Sequence, residues 1–164
     1  ERIFQLIYQA SGRSGRSNKQ GEVVIQTYSS ENPVIKSASI LDMKKYYAIA
    51  LKEREELDYP PYSWLAKIEI TGTNQDKTSI MAFNIAQSMN DNYDGLTVLG
   101  PVPCYLEKLR NKYRFQIILK SVKTLDPNGK KLHSFIDYNF NKDSLKHQFG
   151  QGRINIHFDP LSLI

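Results

Sequence analysis

The chain has 164 residues, 40% of them hydrophobic and 24% charged, with a formal net charge of +5. That length suits one ordinary domain, or a small domain plus part of another, and the composition is that of a soluble globular protein. No apolar run approaches the roughly 18 residues needed to cross a membrane. The start, Glu1-Arg2-Ile3-Phe4, has neither an initiator methionine nor a basic leader, so an excised fragment is expected, with processing or trimming as equal alternatives. Cys104 is the only cysteine, which excludes an intrachain disulfide and a cysteine-rich metal site. His133, His147 and His157 show no ligand spacing, so no metal site is expected within the chain.

Residues 2–11 read as a helix, with Ile3, Leu6, Ile7 and Ala10 at i, i+3, i+4, i+7. Gln9-Ala10-Ser11-Gly12-Arg13-Ser14-Gly15-Arg16 follows as a glycine-containing basic loop, and residues 17–21 are turn material. Residues 22–28 read as a strand, with Val23, Val24 and Ile25 as the short apolar run of a buried parallel sheet. Asn32-Pro33 starts a helix to about Leu41, Asn as cap and Pro in the first helical position. Asp42 caps a second helix to about Asp58, which Tyr59-Pro60-Pro61-Tyr62 must stop. A domain boundary is expected there, at about residue 60. The prolines serve either as a stiff joint or as a polyproline peptide ligand.

The remainder alternates between strand and helix periodicity. Strands are expected over residues 65–71, 96–99, 113–120 and 153–158. Gly100-Pro101 ends the second of them. Helices are expected over residues 74–90, capped by Thr73, and 132–140. This β-α-β-β-α-β order is the split βαβ, ferredoxin-like α+β pattern, with two helices on one face of a four-stranded sheet.

Charge is unevenly spread. Residues 1–60 carry nine Lys/Arg against eight Asp/Glu, whereas residues 105–131 carry eight basic side chains against Glu107 and Asp126 alone. Such a concentration either attracts phosphate or is a solvated lysine face. Tyr113, Phe115, Ile117 and Leu119 alternate inward, or Tyr113 and Phe115 form a base-stacking surface. Arg114 and Lys120 lie on the opposite face, and with Arg110 and Lys112 they are the candidate DNA contacts.

The string Gln9 to Arg16 carries the chemistry. Gly12 and Gly15 let the backbone approach a ligand closely. Arg13 and Arg16 can converge on one anion, and the planar guanidinium suits phosphate. The alternative is a surface basic loop or an RGG-like nucleic-acid contact.

This string resembles motif VI of superfamily 2 helicases. The flanking blocks narrow the resemblance: Glu1-Arg2-x-Phe4-Gln5-Leu6, Gly21-Glu22-Val23-x-Ile25-Gln26-Thr27-Tyr28, Tyr59-Pro60-Pro61-Tyr62, Leu99-Gly100-Pro101-x-Pro103, Leu109-Arg110-x-x-Tyr113-Arg114-x-Gln116 and Asp159-Pro160-x-Ser162-Leu163. In that order they are similar to the primosomal helicase PriA family. The resemblance implies the end of a RecA-like α/β helicase lobe over residues 1–60, followed by a DNA- and partner-binding domain over residues 61–164. It implies a 3′→5′ DNA helicase for replication restart, with Arg16 as arginine finger, Arg13 as second phosphate contact and Gln9 as coupling residue at the ATP site. The ATP- and Mg²⁺-binding motifs and the zinc cysteines of the intact family protein lie upstream, so this piece alone is expected neither to hydrolyse ATP nor to bind zinc. Forked and single-stranded DNA, other primosome proteins and the acidic tail of the single-strand-binding protein are the implied partners. Lys130 and Lys131, at a helix start, could take that tail's carboxylate. A stand-alone, non-enzymatic nucleic-acid-binding module is the competing expectation.

Overall fold

A computed structural model describes residues 2–14, 22–89, 94–140 and 152–160. The chain divides into two compact units, Glu1–Glu56 and Leu57–Ile164. The division falls four residues before the boundary expected at residue 60, because residues 57–62 are tied to the second unit by their own hydrogen bonds. Ser63 Oγ donates to Asp58 O at 2.7 Å, and Lys123 N–H donates to Tyr62 O at 2.9 Å.

In the first unit, α1 (Arg2–Ser11), α2 (Pro33–Ser39) and α3 (Met43–Glu56) enclose a small core of Phe4, Ala38 and Tyr46. The Phe4 and Tyr46 rings stack with centroids 4.2 Å apart. Both predicted caps form: Asn32 Oδ1 accepts from Val34 N–H at 2.9 Å, and Asp42 Oδ1 accepts from Lys45 N–H at 2.9 Å. The helix expected over residues 2–11 forms as α1, but its buried face is corrected. Of the expected stripe only Ile7 packs against this core, Ile3, Leu6 and Ala10 being exposed, and Phe4 is the residue buried there. An amphipathic stripe packs only where a partner meets it.

The strand expected over residues 22–28 does not form. The segment is irregular, and Val24 is 86% exposed. A parallel strand needs neighbours to satisfy its backbone and cover both faces. The first unit contains no strand among its described residues.

The second unit runs β1 (Ser63–Gly72), α4 (Gln75–Ser88), β2 (Leu96–Leu109), β3 (Lys112–Val122), α5 (Lys130–Phe140) and β4 (Arg153–Phe158). The four strands form one antiparallel sheet in the order β2-β3-β1-β4. Alternation sorts its two faces. Ala66, Ile68 and Ile70 lie opposite Leu119, Ile117 and Phe115 on β3, and Ile68 and Ile70 lie opposite Ile156 and Ile154 on β4. These residues pack with Ala82, Ile85, Ala86 and Met89 of α4 and with Leu132, Phe135 and Ile136 of α5. Both helices therefore cover the same face. Phe115 belongs to this core and is unavailable for stacking on a base.

Two local expectations are corrected. Asn74, not Thr73, caps α4: its Oδ1 accepts from Lys77 N–H at 2.9 Å. Nor does Gly100-Pro101 end β2, which continues to Leu109 through a register shift between Leu99 and Val102. Gly100 adopts φ +101°, and a Cβ there would lie 2.9 Å from Gln116 O, so glycine is what lets the strand continue through the bulge.

Candidate functional site

Three places hold the residues singled out by the sequence. The first is the end of α1. Gln9, Gly12 and Arg13 are exposed there, and the helix closes with Gly12 N–H donating to Tyr8 O at 3.0 Å and Arg13 N–H to Ala10 O at 3.1 Å. A Cβ on Gly12 would come no closer than 3.5 Å to Tyr8 O, so the chain itself leaves room for a side chain at this position. Gly15 and Arg16 lie outside the described residues.

The second place is the β2–β3 hairpin. Lys108 pairs with Tyr113 and Leu109 with Lys112, which leaves Arg110 and Asn111 as a two-residue turn. Both adopt positive φ, 49° and 61°, the conformation whose twist matches that of the flanking strands. Arg110 and Lys112 project exposed at this tip. Tyr113 is half-buried, and Lys108 Nζ stands 4.8 Å from its ring centroid, covering one face.

Arg114 and Lys120 share the sheet face away from the helices, as the alternation indicates, but both are engaged within the chain. Arg114 Nε and Nη2 donate to Glu69 Oε1 and Oε2 at 3.2 and 2.7 Å. The Arg114 hydrogen bond first, then the Arg114, Lys67 and His157 charges, hold the Glu69 carboxyl below its ordinary value despite partial burial. Lys120 is 9% exposed. Its ammonium donates to Leu57 O at 2.8 Å and sits 3.9 Å from the Tyr59 ring centroid. Arg110 and Lys112 are thus the cations presented at the hairpin tip.

The third place is the start of α5, where Lys130 and Lys131 lie. Its free N–H groups already hold an internal carboxylate, that of Asp126. Asp126 Oδ1 accepts from Lys131 N–H at 3.1 Å; Oδ2 accepts from Leu132 N–H at 3.1 Å and from the Ser121 hydroxyl at 2.9 Å. Burial opposes ionisation of this group, but these bonds and the Lys131 charge outweigh it and hold its carboxyl below the ordinary value. Sequence reasoning missed Asp126, since it stands four residues ahead of the helix and not at the cap position that patterns recognise.

Cys104 is buried. Burial first, and Glu69 second, push its thiol above the ordinary value, which removes it as a nucleophile at neutral pH. Among the described residues no three His, Cys, Asp or Glu side chains come together as a group that could hold a metal ion. Among the same residues no helix is long and apolar enough to cross a membrane.

These features define a small basic α/β module whose hairpin carries exposed cations, preceded by a helical unit that ends its first helix in a glycine–arginine string. The chain belongs to the primosomal protein N C-terminal domain family, whose model matches residues 55–161. It is 38% identical over 120 residues to the replication restart protein PriA of Thermotoga maritima, covering 73% of this chain and 16% of that protein. To the same-named protein of Bacillus subtilis it is 34% identical over 121 residues, covering 73% and 15%. To that of Chlamydia pneumoniae it is 34% identical over 134 residues, covering 81% and 18%. The chain thus spans less than a fifth of the length of these relatives.

Proposed function

We propose that this chain works as the C-terminal part of an ATP-dependent 3′→5′ DNA helicase for replication restart and primosome assembly. The observation that carries the reading is the family membership of residues 55–161, joined in one chain to the Gln9–Arg16 string. In this reading residues 1–60 are the end of a RecA-like lobe, and the second unit, with its β-α-β-β-α-β order, is a ferredoxin-like DNA-binding domain.

Arg16 acts as the arginine finger. Its guanidinium meets charge that builds on the transferring phosphoryl group, and Arg13 supplies a second phosphate contact. Gln9 couples the nucleotide state to movement of the lobe. Room for a Cβ at Gly12 supports the idea that the ligand, not the chain, demands glycine there. ATP, Mg²⁺ and zinc belong to the intact protein, with both metals held by upstream residues.

Arg110 and Lys112 contact DNA phosphates from the hairpin tip. The internal engagement of Arg114 and Lys120 argues for giving those two a supporting role. The partners are forked and single-stranded DNA, other primosome proteins and the acidic tail of the single-strand-binding protein. Lys130 remains the better of the two α5 lysines for that tail, because Lys131 already faces Asp126. The setting is the cytoplasm, at the nucleoid.

The test is Arg16→Ala in the intact protein, which should lower the ATPase rate on the order of 10³-fold with DNA affinity retained. An unchanged rate would remove the finger assignment. The second reading, a DNA-binding module that works alone, is favoured by the separate core of Leu57–Ile164. Salt-dependent binding by that unit in isolation supports it without contradicting the first.

A further inference from the structure

The β2–β3 hairpin contains one more irregularity, and it is built to display a single aromatic side chain. Pro103 pairs with Phe115, and the next pair is Lys108 with Tyr113, so residues 104–107 face Arg114 alone. Such a bulge re-aims side chains, and bulges recur beside binding sites. This one is anchored at three points. The Cys104 side chain is buried. Leu106 O accepts from Arg114 Nη1 at 3.4 Å, from a guanidinium already fixed on Glu69. Glu107 Oε1 accepts from Gln75 Nε2 of α4 at 2.8 Å. Tyr105 stands between these anchors and is 80% exposed. Within eight residues of it along the chain come Lys108 on the same arm, Arg110 in the turn and Lys112 at the start of the other arm.

An aromatic ring held out in water by a fixed backbone, next to cations at a hairpin tip, has the two parts of a single-strand site. The cations take the phosphates, and the ring takes the face of an unpaired base. Duplex DNA offers phosphates to the same cations but keeps its base faces stacked. We infer that Tyr105 is a base-stacking residue through which this hairpin favours single-stranded over duplex DNA, and that Arg114 is its positioning residue. The inference rests on the DNA-binding reading above and adds the residue by which the hairpin tells a single strand from a duplex. Of the two aromatics in the basic segment that sequence alone suggests, Phe115 lies in the core, and Tyr113 is half-buried with Lys108 over one face of its ring, so neither stands out in solvent as Tyr105 does.

The experiment measures affinity of the full chain for a fluorescein-labelled oligothymidylate and for a duplex of equal length across a salt titration. Tyr105→Ala should weaken oligothymidylate binding about tenfold, leave duplex binding unchanged and leave the salt slope unchanged, because no phosphate contact is lost. Tyr105→Trp should restore the affinity, which separates stacking from any effect on the fold. Arg114→Gln should weaken oligothymidylate binding without changing the slope, as expected of a residue that positions and does not touch phosphate. Arg110→Ala with Lys112→Ala should weaken both ligands and lower the slope on the single strand by about 0.7 per lost contact. If that double variant changes nothing, the DNA-binding reading and this inference fall together. If it acts as stated while Tyr105→Ala binds both ligands normally, or loses both equally, only the assignment of Tyr105 is overturned.

Discussion

The Arg114 guanidinium holds the Glu69 carboxylate by two hydrogen bonds, 3.2 and 2.7 Å long, between neighbouring central strands β3 and β1. Both side chains are largely covered, at 19% and 13% exposure. The pair is therefore screened less than a surface bridge, and its planar fork geometry is favourable.

Glu69→Gln should lower unfolding free energy by about 2 kcal/mol, read from the urea midpoint, because a charged hydrogen bond is lost and the largely covered Arg114 is left without its counter-charge. The pH dependence has a fixed sign. Glu69 is held below its ordinary 4.5, so its contribution is fully present above that value and is lost as pH falls through the lower folded value. The acid-side loss of stability should therefore be smaller in the Gln variant. Equal acid sensitivity in the two proteins contradicts this.

Asp126 should be the more sensitive carboxylate. It is 3% exposed and accepts from two helix N–H groups and the Ser121 hydroxyl. Asp126→Ala orphans all three donors and should cost about 2–3 kcal/mol. The chain reports this itself. Trp64, the only tryptophan, donates its Nε1–H to Asp126 O at 2.9 Å, so its fluorescence follows this corner during denaturation. A loss below about 0.5 kcal/mol would mean that water satisfies the start of α5 equally well.

Lys120→Met should keep the buried stem and remove the ammonium that binds Leu57 O and the Tyr59 ring. Loss of about 1–2 kcal/mol is expected, together with faster amide exchange at Tyr62, whose N–H donates to Tyr59 O at 2.9 Å. The salt slope of DNA binding should not move. A reduced slope would return Lys120 to the phosphate contacts.

Gly100→Ala tests the bulge. At φ +101°, with the Gln116 carbonyl 2.9 Å from any added Cβ, the substitution should cost about 2 kcal/mol or more. Calorimetry of the full chain measures it; an unchanged melting temperature would mean that the bulge relaxes without strain.

Periodicity revealed the second unit because its elements complete one another. The alternating Phe115, Ile117 and Leu119 meet Ile70, Ile68 and Ala66 within the same piece of chain, and both helices close over them. The first unit was less legible for the same reason. Val23, Val24 and Ile25 have the composition of a buried strand, but composition supplies no neighbouring strand, and Val24 lies in water. Likewise the pattern placed Arg114 and Lys120 on the outer face correctly, yet could not say that Glu69 and the Leu57 carbonyl occupy that face with them.

By itself the sequence determined the order of elements in the second unit, the helix starts at Asn32 and Asp42, and the glycine–arginine string, because spacing, capping and turn chemistry act within a few residues. Tertiary structure decided which cations remain at the surface, which carboxylate fills the start of α5, and which aromatic stands in solvent. Those outcomes depend on groups far apart along the chain: Arg114 with Glu69, Lys120 with Leu57, Trp64 with Asp126. Whether a charged or aromatic side chain is free is set by what the fold brings beside it.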